Sequence, residues 1–156
     1  MKYIYISHRG NVSGSIPDKE NSPDYIEKAL SLGFEVEIDV WYINKSFYLG
    51  HDEPKYLISK SFLKNNKLWC HAKNIDALEE MLKDNIHCFW HQNDDVTLTS
   101  KNFLWYFPGK IKEKKGIDVM PEKNLISIEK YKLLGIGVCS DYINVIKNNQ
   151  LNGECS

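Results

Sequence analysis

Short apolar segments separated by polar turns recur along the chain and predict eight β-strands. Most of these segments are four to seven residues long, which is typical of buried strands bounded by turns. The predicted strands cover residues 3–7, 34–40, 47–49, 67–73, 86–91, 103–107, 117–120 and 137–140.

Helix signals lie between some of these strands. The run Ser22-Pro23-Asp24 predicts the start of a helix, and Gly33 predicts its end. Asn74 is expected to cap a second helix, whose buried stripe would consist of Ile75, Leu78, Met81 and Leu82. Two further helices are predicted over residues 127–135 and 142–147.

This succession of strands and helices predicts a single α/β domain over residues 1–156. We expect a minimal (β/α)8 TIM-type barrel with several helices reduced to loops, because a usual barrel of this type needs about 250 residues. An open parallel sheet made of the same elements is the competing architecture. In both, the carboxyl ends of parallel strands meet on one edge, where functional sites are assembled.

Composition excludes several classes of partner. The net charge of −1 argues against bulk electrostatic binding to nucleic acid or to an anionic membrane. No apolar stretch approaches the length of a membrane-spanning helix, and the amino-terminal segment becomes polar too early for a signal peptide. These features predict a cytoplasmic protein without integral membrane association, and they leave its oligomeric state open.

The four cysteines are expected to be reduced thiols. No two of them form a C-x-x-C pair, so a zinc cluster is not expected. Three lie within apolar runs, as is typical of core thiols in a cytosolic protein. The four are Cys70, Cys88, Cys139 and Cys155.

The second predicted strand alternates between apolar and acidic positions. Its even-numbered residues from 34 to 40 are apolar and point to one face, whereas Glu35, Glu37 and Asp39 point to the other. Carboxylates on a buried strand are costly unless they are paired or bind a metal. Glu37 and Asp39 lie near the end of the strand, where both could hold one hard divalent cation.

Other strand ends also carry polar residues that suit phosphate chemistry. The pair His8-Arg9 follows the first strand, Gly50-His51-Asp52 follows the third, and Lys73 ends the fourth. A phosphodiester is anionic, so attack on it needs cations near its non-bridging oxygens. Imidazoles can accept and donate protons near neutral pH. Together these residues predict a metal-assisted phosphodiester site.

Four short motifs, in order, resemble the pattern of the glycerophosphodiester phosphodiesterases, which belong to the phosphatidylinositol-phospholipase-C-like phosphodiesterase superfamily. The motifs are His8-Arg9, Glu20-Asn21, Glu37-Ile38-Asp39 and Gly50-His51-Asp52. They cover the first third of the chain, and Cys139-Ser140-Asp141 is similar to the closing strand of the family. The resemblance is greatest to a small, minimal-barrel branch, and it implies a phosphoric diester hydrolase acting on a glycerophosphodiester-like substrate. The short loops that follow the strands favour a small soluble substrate or an exposed polymer end.

The resemblance also implies a role for each motif residue. His8 and His51 would be the general acid–base pair, and Glu37 and Asp39 would hold a divalent ion, Mg²⁺ or Ca²⁺. The remaining residues would bind the phosphate or order the first loop around it; they are Arg9, Lys73, Glu20 and Asn21. His91, at the end of the fifth predicted strand, is a further candidate for lining the site.

One position departs from the family pattern. The family places a third metal-binding Glu two residues before the lysine of the fourth strand, and here that position is His71. A neutral imidazole is softer than a carboxylate. His71 would therefore weaken the metal site, favour Mn²⁺ or Zn²⁺, require another acid such as Glu122, or impair catalysis. Alternatively, His71 is a packed pocket residue outside the metal shell.

Two other functions compete with hydrolysis. The first is a catalytically silent module that binds a phosphate or a sugar phosphate, which the loss of the third acid at His71 favours and the presence of both His8 and His51 disfavours. The second is a phospholipase-D-like lyase acting on a lipid head group. That function needs an exposed apolar patch, for which the candidates are Trp41, Tyr42 and Trp105.

Overall fold

The computed structural model describes residues 2–111, 115–124 and 127–153. Ten strands and four α-helices lie within these ranges. The strands are β1 (Ile4–His8), β2 (Glu35–Ile43), β3 (Ser46–Leu49), β4 (Tyr56–Ile58), β5 (Leu68–Ala72), β6 (Cys88–Phe89), β7 (Val96–Leu98), β8 (Leu104–Tyr106), β9 (Gly116–Val119) and β10 (Gly137–Ser140). The helices are α1 (Pro23–Ser31), α2 (Lys60–Leu63), α3 (Ile75–Lys83) and α4 (Ile143–Gly153).

One curled sheet contains all ten strands. Seven of them run parallel, in the order β6-β5-β2-β1-β10-β9-β8. The antiparallel strand β7 pairs with β8, and β3 and β4 extend the carboxyl-terminal half of β2 as an antiparallel meander. The carboxyl ends of β5, β2, β1 and β10 therefore lie side by side on one rim.

The predicted (β/α)8 TIM-type barrel is wrong. Within the described residues there are four α-helices, and no strand ladder joins β6 to β8. The sheet is an open, curled half-barrel, closer to the open-sheet alternative but with antiparallel additions. The two margins are linked by hydrogen bonds that do not form a strand ladder. The Ser100 N–H donates to the Cys88 carbonyl at 2.8 Å, and the Thr97 hydroxyl donates to the Trp90 carbonyl at 2.8 Å. The chain is too short to supply the eight helical crossovers of a full barrel.

The predicted elements differ from the observed ones mainly where burial is weak. Each of the eight predicted strands overlaps an observed strand, but β4, β7 and the single-turn helix α2 were not predicted. The predicted helix over residues 127–135 is wrong, because only a 3₁₀ turn forms at Ile128–Lys130. There the backbone becomes extended at Tyr131, whose hydroxyl donates to Asp118 at 2.7 Å. The last helix extends further than predicted, to Gly153.

Apolar side chains pack on both faces of the sheet. On the outer face, Val36, Ile38 and Val40 are fully buried against the helices. The inner face of the curl is filled by a second cluster, which includes Trp69 and Phe89. This inner packing ends at the carboxyl rim, where polar side chains replace apolar ones.

Two smaller sequence predictions can be compared with the structure. In α3 the residues Ala77 and Met81 are fully buried, whereas Ile75 and Leu82 are 53% and 50% exposed, so the predicted stripe is partly wrong. The predicted core thiols are confirmed for Cys70, Cys88 and Cys139, which are buried and free. Cys155 lies outside the described residues.

The helices of the described ranges include none that combines the length and the apolar character needed to cross a membrane.

Candidate functional site

Neighbouring parallel strands bring the predicted site residues together at the carboxyl rim. The register places His8 of β1 beside Glu37 of β2, and Asp39 of β2 beside His71 of β5. Asp141 directly follows β10, the other neighbour of β1. Residues that are far apart in sequence thereby share one small region, as expected for the strand ends of a parallel sheet.

Glu37, Asp39 and His71 form a compact group of possible metal ligands. One ligand atom from each residue lies within 4.8 Å of the others. His71 Nδ1 is 3.3 Å from Asp39 Oδ1 and 3.7 Å from Glu37 Oε1. Within the described structure, the buried atoms Glu37 Oε2 and Asp39 Oδ1 have no hydrogen-bond partner. Buried carboxylate oxygens without donors are costly, and either a protonated His71 or a divalent cation would offset their charge.

The His71 ring is held in an orientation that suits metal binding. Its Nε2 lies 2.8 Å from the carbonyl oxygen of His91, and the ring stacks on Phe89 at 5.1 Å between centroids. A proton on Nε2 makes this hydrogen bond and leaves Nδ1 directed at the two carboxylates. Burial alone would lower the pKa of His71, but Asp39 and Glu37 raise it to about 9. His71 must therefore release its Nδ1 proton before it can ligate a metal.

The raised pKa of His71 predicts a pH-dependent stability of the metal-free protein. A group whose pKa is raised by folding stabilises the native state below its unfolded pKa, and that stability is lost as the pH rises through the folded pKa. In chelator, we expect the free energy of unfolding to decrease between about pH 6 and about pH 9, by on the order of 3 kcal/mol from this group. Urea unfolding of wild type and His71→Gln across this range would measure it.

His87 provides the matched control for this measurement. Burial and the nearby Lys101 lower the pKa of His87 to about 4, so folded His87 is neutral over the whole range. Above about pH 7, where His87 is neutral in the unfolded protein as well, the His87→Gln variant should keep the wild-type pH dependence, whereas His71→Gln should lose part of it. Identical pH profiles for wild type and His71→Gln would show that His71 is not a buried cation.

Asp39 is the centre of the ionic network. It is fully buried, and its Oδ2 lies 2.8 Å from Arg9 Nε and accepts a hydrogen bond from Asn21 Nδ2 at 2.9 Å. Its Oδ1 lies 3.6 Å from Lys73 Nζ. Burial alone would raise the pKa of Asp39, but His71, Arg9 and Lys73 hold it well below its usual value. The carboxylate is therefore ionised at any ordinary pH.

The loop after β1 is held in a strained conformation beside this network. Arg9 and Asn21 have φ angles of 55° and 62°, in the left-handed region that non-glycine residues seldom adopt. The Asn21 N–H donates to the Arg9 carbonyl at 3.0 Å, and the Asp39 N–H donates to Asn21 Oδ1 at 2.9 Å. Strain of this kind persists when surrounding contacts fix the backbone, and it is concentrated at functional sites.

Glu20 forms hydrogen bonds within the same loop. Its carboxylate accepts hydrogen bonds from Asn11 Nδ2 at 2.8 Å and from the Ser15 hydroxyl at 2.7 Å, and it lies 3.2 Å from Arg9 Nη1. Burial alone would raise the pKa of Glu20, but these three donors lower it below its ordinary value. Arg9 is thus fixed between the carboxylates of Glu20 and Asp39.

His8 is paired with Asp141. Its Nδ1 lies 2.7 Å from Asp141 Oδ1, and its Nε2 lies 3.9 Å from Glu37 Oε2. Burial alone would lower the pKa of His8, but Asp141 and Glu37 raise it above its ordinary value. Asp141 also accepts a hydrogen bond from Asn11 Nδ2 at 2.8 Å. The geometry resembles an acid–base histidine held by a carboxylate, with Nε2 free to act.

Glu122 supports Asp141 and is not a member of the ligand group formed by Glu37, Asp39 and His71 in the described structure. Its two carboxylate oxygens accept from the Ser140 hydroxyl and from the Asp141 N–H, each at 2.9 Å. Glu122 therefore does not supply a third carboxylate to this ligand group.

A cleft of about 600 Å³ opens at this rim, and His8 and His51 both line it. The His51 side chain is 43% exposed, and its Nδ1 lies 2.6 Å from Asp52 Oδ1. The loop that carries it turns at Gly50, which has a φ of 149° and where a Cβ would lie 2.1 Å from the Glu53 carbonyl oxygen. Only glycine fits this close approach of two backbone segments.

Most of the predicted site residues thus meet at one rim. The cleft lining includes the five predicted residues His8, Arg9, Glu20, Asn21 and His51. Four other predicted residues do not line the cleft in the described structure: Glu37, Asp39, His71 and Lys73. Glu37 and Asp39 are buried next to it, where they contact the lining residues His8 and Arg9. His71 and Lys73 contact Asp39.

His91 does not line the cleft in the part of the chain that the structure describes. Its carbonyl oxygen orients His71, while both ring nitrogens are buried without a hydrogen-bond partner. Burial lowers the pKa of the His91 ring. His91 therefore acts through its backbone, which no side-chain pattern in the sequence could indicate.

Sequence reasoning missed Asn11, which is fully buried. Its amide donates to both Glu20 and Asp141 and so links the loop after β1 to the end of β10. Nothing in the local sequence around Asn11 signals this role, because one of its partners lies 130 residues away.

Comparisons of the chain with protein-family models, with curated proteins and with solved structures found no match. Its function is therefore inferred from the geometry of the site.

Proposed function

We propose that this chain is a metal-dependent phosphodiesterase that hydrolyses a small glycerophosphodiester-like substrate. The observation that carries the proposal is the position of His8 and His51 on one cleft, next to a buried acidic group with unsatisfied oxygens. Two histidines serve a reaction that needs one proton acceptor and one proton donor. The acidic group would hold a divalent cation, and that cation would neutralise the negative charge of the substrate.

The residues present fit a divalent metal ion. Glu37, Asp39 and His71 would hold it, since together they offer two carboxylates and one imidazole within a small volume. Such an ion, when bound, withdraws negative charge from a non-bridging phosphate oxygen. Mg²⁺ and Ca²⁺ prefer oxygen ligands, and the imidazole makes Mn²⁺ or Zn²⁺ acceptable as well.

Side chains of the protein bind the phosphate and transfer the two protons. Arg9 and Lys73 hold positive charge beside Asp39, where they attract and orient the phosphate. His51 takes a proton from the attacking hydroxyl, of water or of the substrate, as the new bond to phosphorus forms. His8, whose pKa Asp141 and Glu37 raise against the opposing effect of burial, donates a proton from Nε2 to the leaving alkoxide as the bond from phosphorus to that oxygen breaks.

The substitution His71→Glu is expected to strengthen binding of Mg²⁺ or Ca²⁺. It adds a hard anionic oxygen ligand and removes the proton that must leave before the imidazole can ligate. Wild-type affinity should also decrease as the pH is lowered, whereas this dependence should weaken in the variant. Calorimetric metal titration of both proteins near pH 6 and near pH 8 would measure these effects. Equal affinities in both proteins at both pH values would exclude His71 from the metal shell.

A second candidate function is binding of a phosphate or a sugar phosphate without catalysis. The raised pKa of His71 favours it, because an imidazolium neutralises Asp39 and Glu37 without any metal. Both functions use Arg9 and Lys73 in the same way, but only hydrolysis uses the proton-transfer capacity of His8 and His51.

A panel of soluble glycerophosphodiesters separates the two functions. Purified wild type and His8→Ala would be incubated with glycerophosphocholine, glycerophosphoethanolamine, glycerophosphoinositol and glycerophosphoglycerol in the presence of Mg²⁺ or Mn²⁺. Release of a phosphomonoester by wild type and not by His8→Ala supports the phosphodiesterase. Binding of glycerol 3-phosphate without release from any substrate supports the binding module.

A further inference from the structure

Most residues that line the cleft carry a charge or a hydrogen-bonding group. Among the described lining residues, the exceptions are Pro17, Gly50 and Met120. A charged, water-soluble ligand fits such a set of polar groups.

Most charges of this lining are already paired within the protein. Arg9 lies between Asp39 and Glu20, His8 contacts Asp141, and His51 contacts Asp52. Arg9 and the imidazole of His8 are therefore already engaged by carboxylates before any ligand arrives. They suit the recognition of one phosphate and have little charge left for a second anion.

Lys55 and Lys123 are different. Both line the cleft, and within the described residues neither has a carboxylate oxygen within 4.0 Å. Lys55 follows the turn after β3 and its Nζ lies 5.1 Å from the centroid of the Tyr56 ring. Lys123 belongs to the 3₁₀ turn that follows β9. Two lysines without a carboxylate partner among the described residues therefore line the cleft from separate segments of the chain.

We propose that Lys55 and Lys123 form a subsite for a second anionic group on the substrate, a carboxylate or a phosphate on one of the alcohols esterified to the scissile phosphate. This inference rests on the proposed function, because it assumes that the first phosphate is bound near Arg9. It narrows the substrate to a soluble phosphodiester with at least two negatively charged groups.

Glu53 is the one carboxylate of the lining that is exposed and without an ion-pair partner in the described structure. Its negative charge opposes a second anion. Removal of the Glu53 charge should therefore strengthen binding of the second anionic group, whereas removal of the two lysine charges should weaken it.

The test uses two ligands of nearly equal shape. Glycerol 3-phosphate and 3-phosphoglycerate differ in that a hydroxymethyl group is replaced by a carboxylate. Calorimetric titration in the presence of Mg²⁺ should show that wild type binds 3-phosphoglycerate about threefold to tenfold more tightly, as expected for one or two partly exposed ion pairs. In Lys55→Gln/Lys123→Gln this preference should disappear, and in Glu53→Gln it should increase.

Lys45→Gln is the matched control, since Lys45 is an exposed lysine at the turn between β2 and β3 and is outside the cleft lining. It removes the same charge and should leave the preference unchanged. Equal affinity of wild type for the two ligands would overturn the subsite. So would a preference that survives in the double variant or disappears equally in Lys45→Gln.

A kinetic comparison distinguishes failure of the subsite from failure of the proposed function. Glycerophosphoinositol 4-phosphate should be hydrolysed with a higher kcat/KM than glycerophosphoinositol by wild type, and with an equal value by the double variant. Cleavage of both substrates without preference would overturn the subsite and leave the phosphodiesterase standing. Preferred binding of 3-phosphoglycerate without cleavage of either substrate would support the subsite and contradict the hydrolase.

Discussion

Replacement of His51 by alanine is expected to reduce turnover by about 10²–10⁴-fold and to leave metal affinity unchanged. His51 lines the cleft on a loop separate from the ligand group, and its contact within the described residues is with Asp52. The variant should therefore lose proton transfer without disturbing Glu37 or Asp39. Hydrolysis rates and calorimetric metal titration of the same preparation would measure both effects.

The control for this variant is His87→Ala. His87 lies near the amino end of β6 and belongs to a different cavity from His51. Loss of its imidazole should not change turnover beyond any effect on stability. Near-normal turnover of His51→Ala on a substrate that wild type cleaves would remove His51 from the mechanism.

The substitution Asp39→Asn is expected to abolish both metal binding and turnover. It removes the anion that Arg9, Lys73 and His71 share, although all three are buried or half-buried. The new amide group at position 39 also brings N–H donors next to the donors of these side chains. Loss of one partner from a buried ion pair costs about 3–5 kcal/mol of stability. Urea unfolding and metal titration would measure the two losses separately.

Asp76→Asn provides a matched change at an exposed aspartate in the first turn of α3. It should cost well under the effect at Asp39, about 0.3–1 kcal/mol from the helix dipole. Unchanged metal affinity in Asp39→Asn, in a protein that remains folded, would contradict the assignment of Asp39 as a ligand.

The acidic face of β2 could be predicted from the sequence because its signal is local. Alternation with a period of two places Glu37 and Asp39 on the same face whatever the rest of the chain does. The positions of His8 and Lys73 at strand ends follow from the same kind of pattern, and parallel pairing brings such ends together. Whether the sheet closes into a barrel does not change which strand ends lie on the same rim, so this part of the site could be predicted without knowing it.

Closure of the sheet could not be predicted, because it depends on non-local pairing. Whether β6 pairs with β8 is decided by the length and twist of the whole sheet, and no residue near β6 signals it. The short antiparallel strand β7 has mainly exposed side chains, so it carries no burial pattern. The same limitation applies to Asn11, whose bond to Asp141 spans the length of the domain.

A tertiary contact explains why the predicted helix over residues 127–135 does not form. Its periodicity is compatible with a helix, but burial of Tyr131 and its hydrogen bond to Asp118 hold the backbone extended there. A contact of this kind outweighs the small free energies of helix propensity.

The central claim, that this rim is a metal-dependent phosphodiesterase site, is tested most directly by phosphorus NMR. Wild-type protein treated with chelator would be incubated with glycerophosphoglycerol, followed by addition of excess Mg²⁺ or Mn²⁺, and Asp39→Asn would be treated in parallel. We expect the phosphodiester resonance to remain until metal is added, and then to be replaced by that of a phosphomonoester in wild type alone. Hydrolysis at the same rate in chelator, or metal-dependent hydrolysis by Asp39→Asn at the wild-type rate, would contradict the claim.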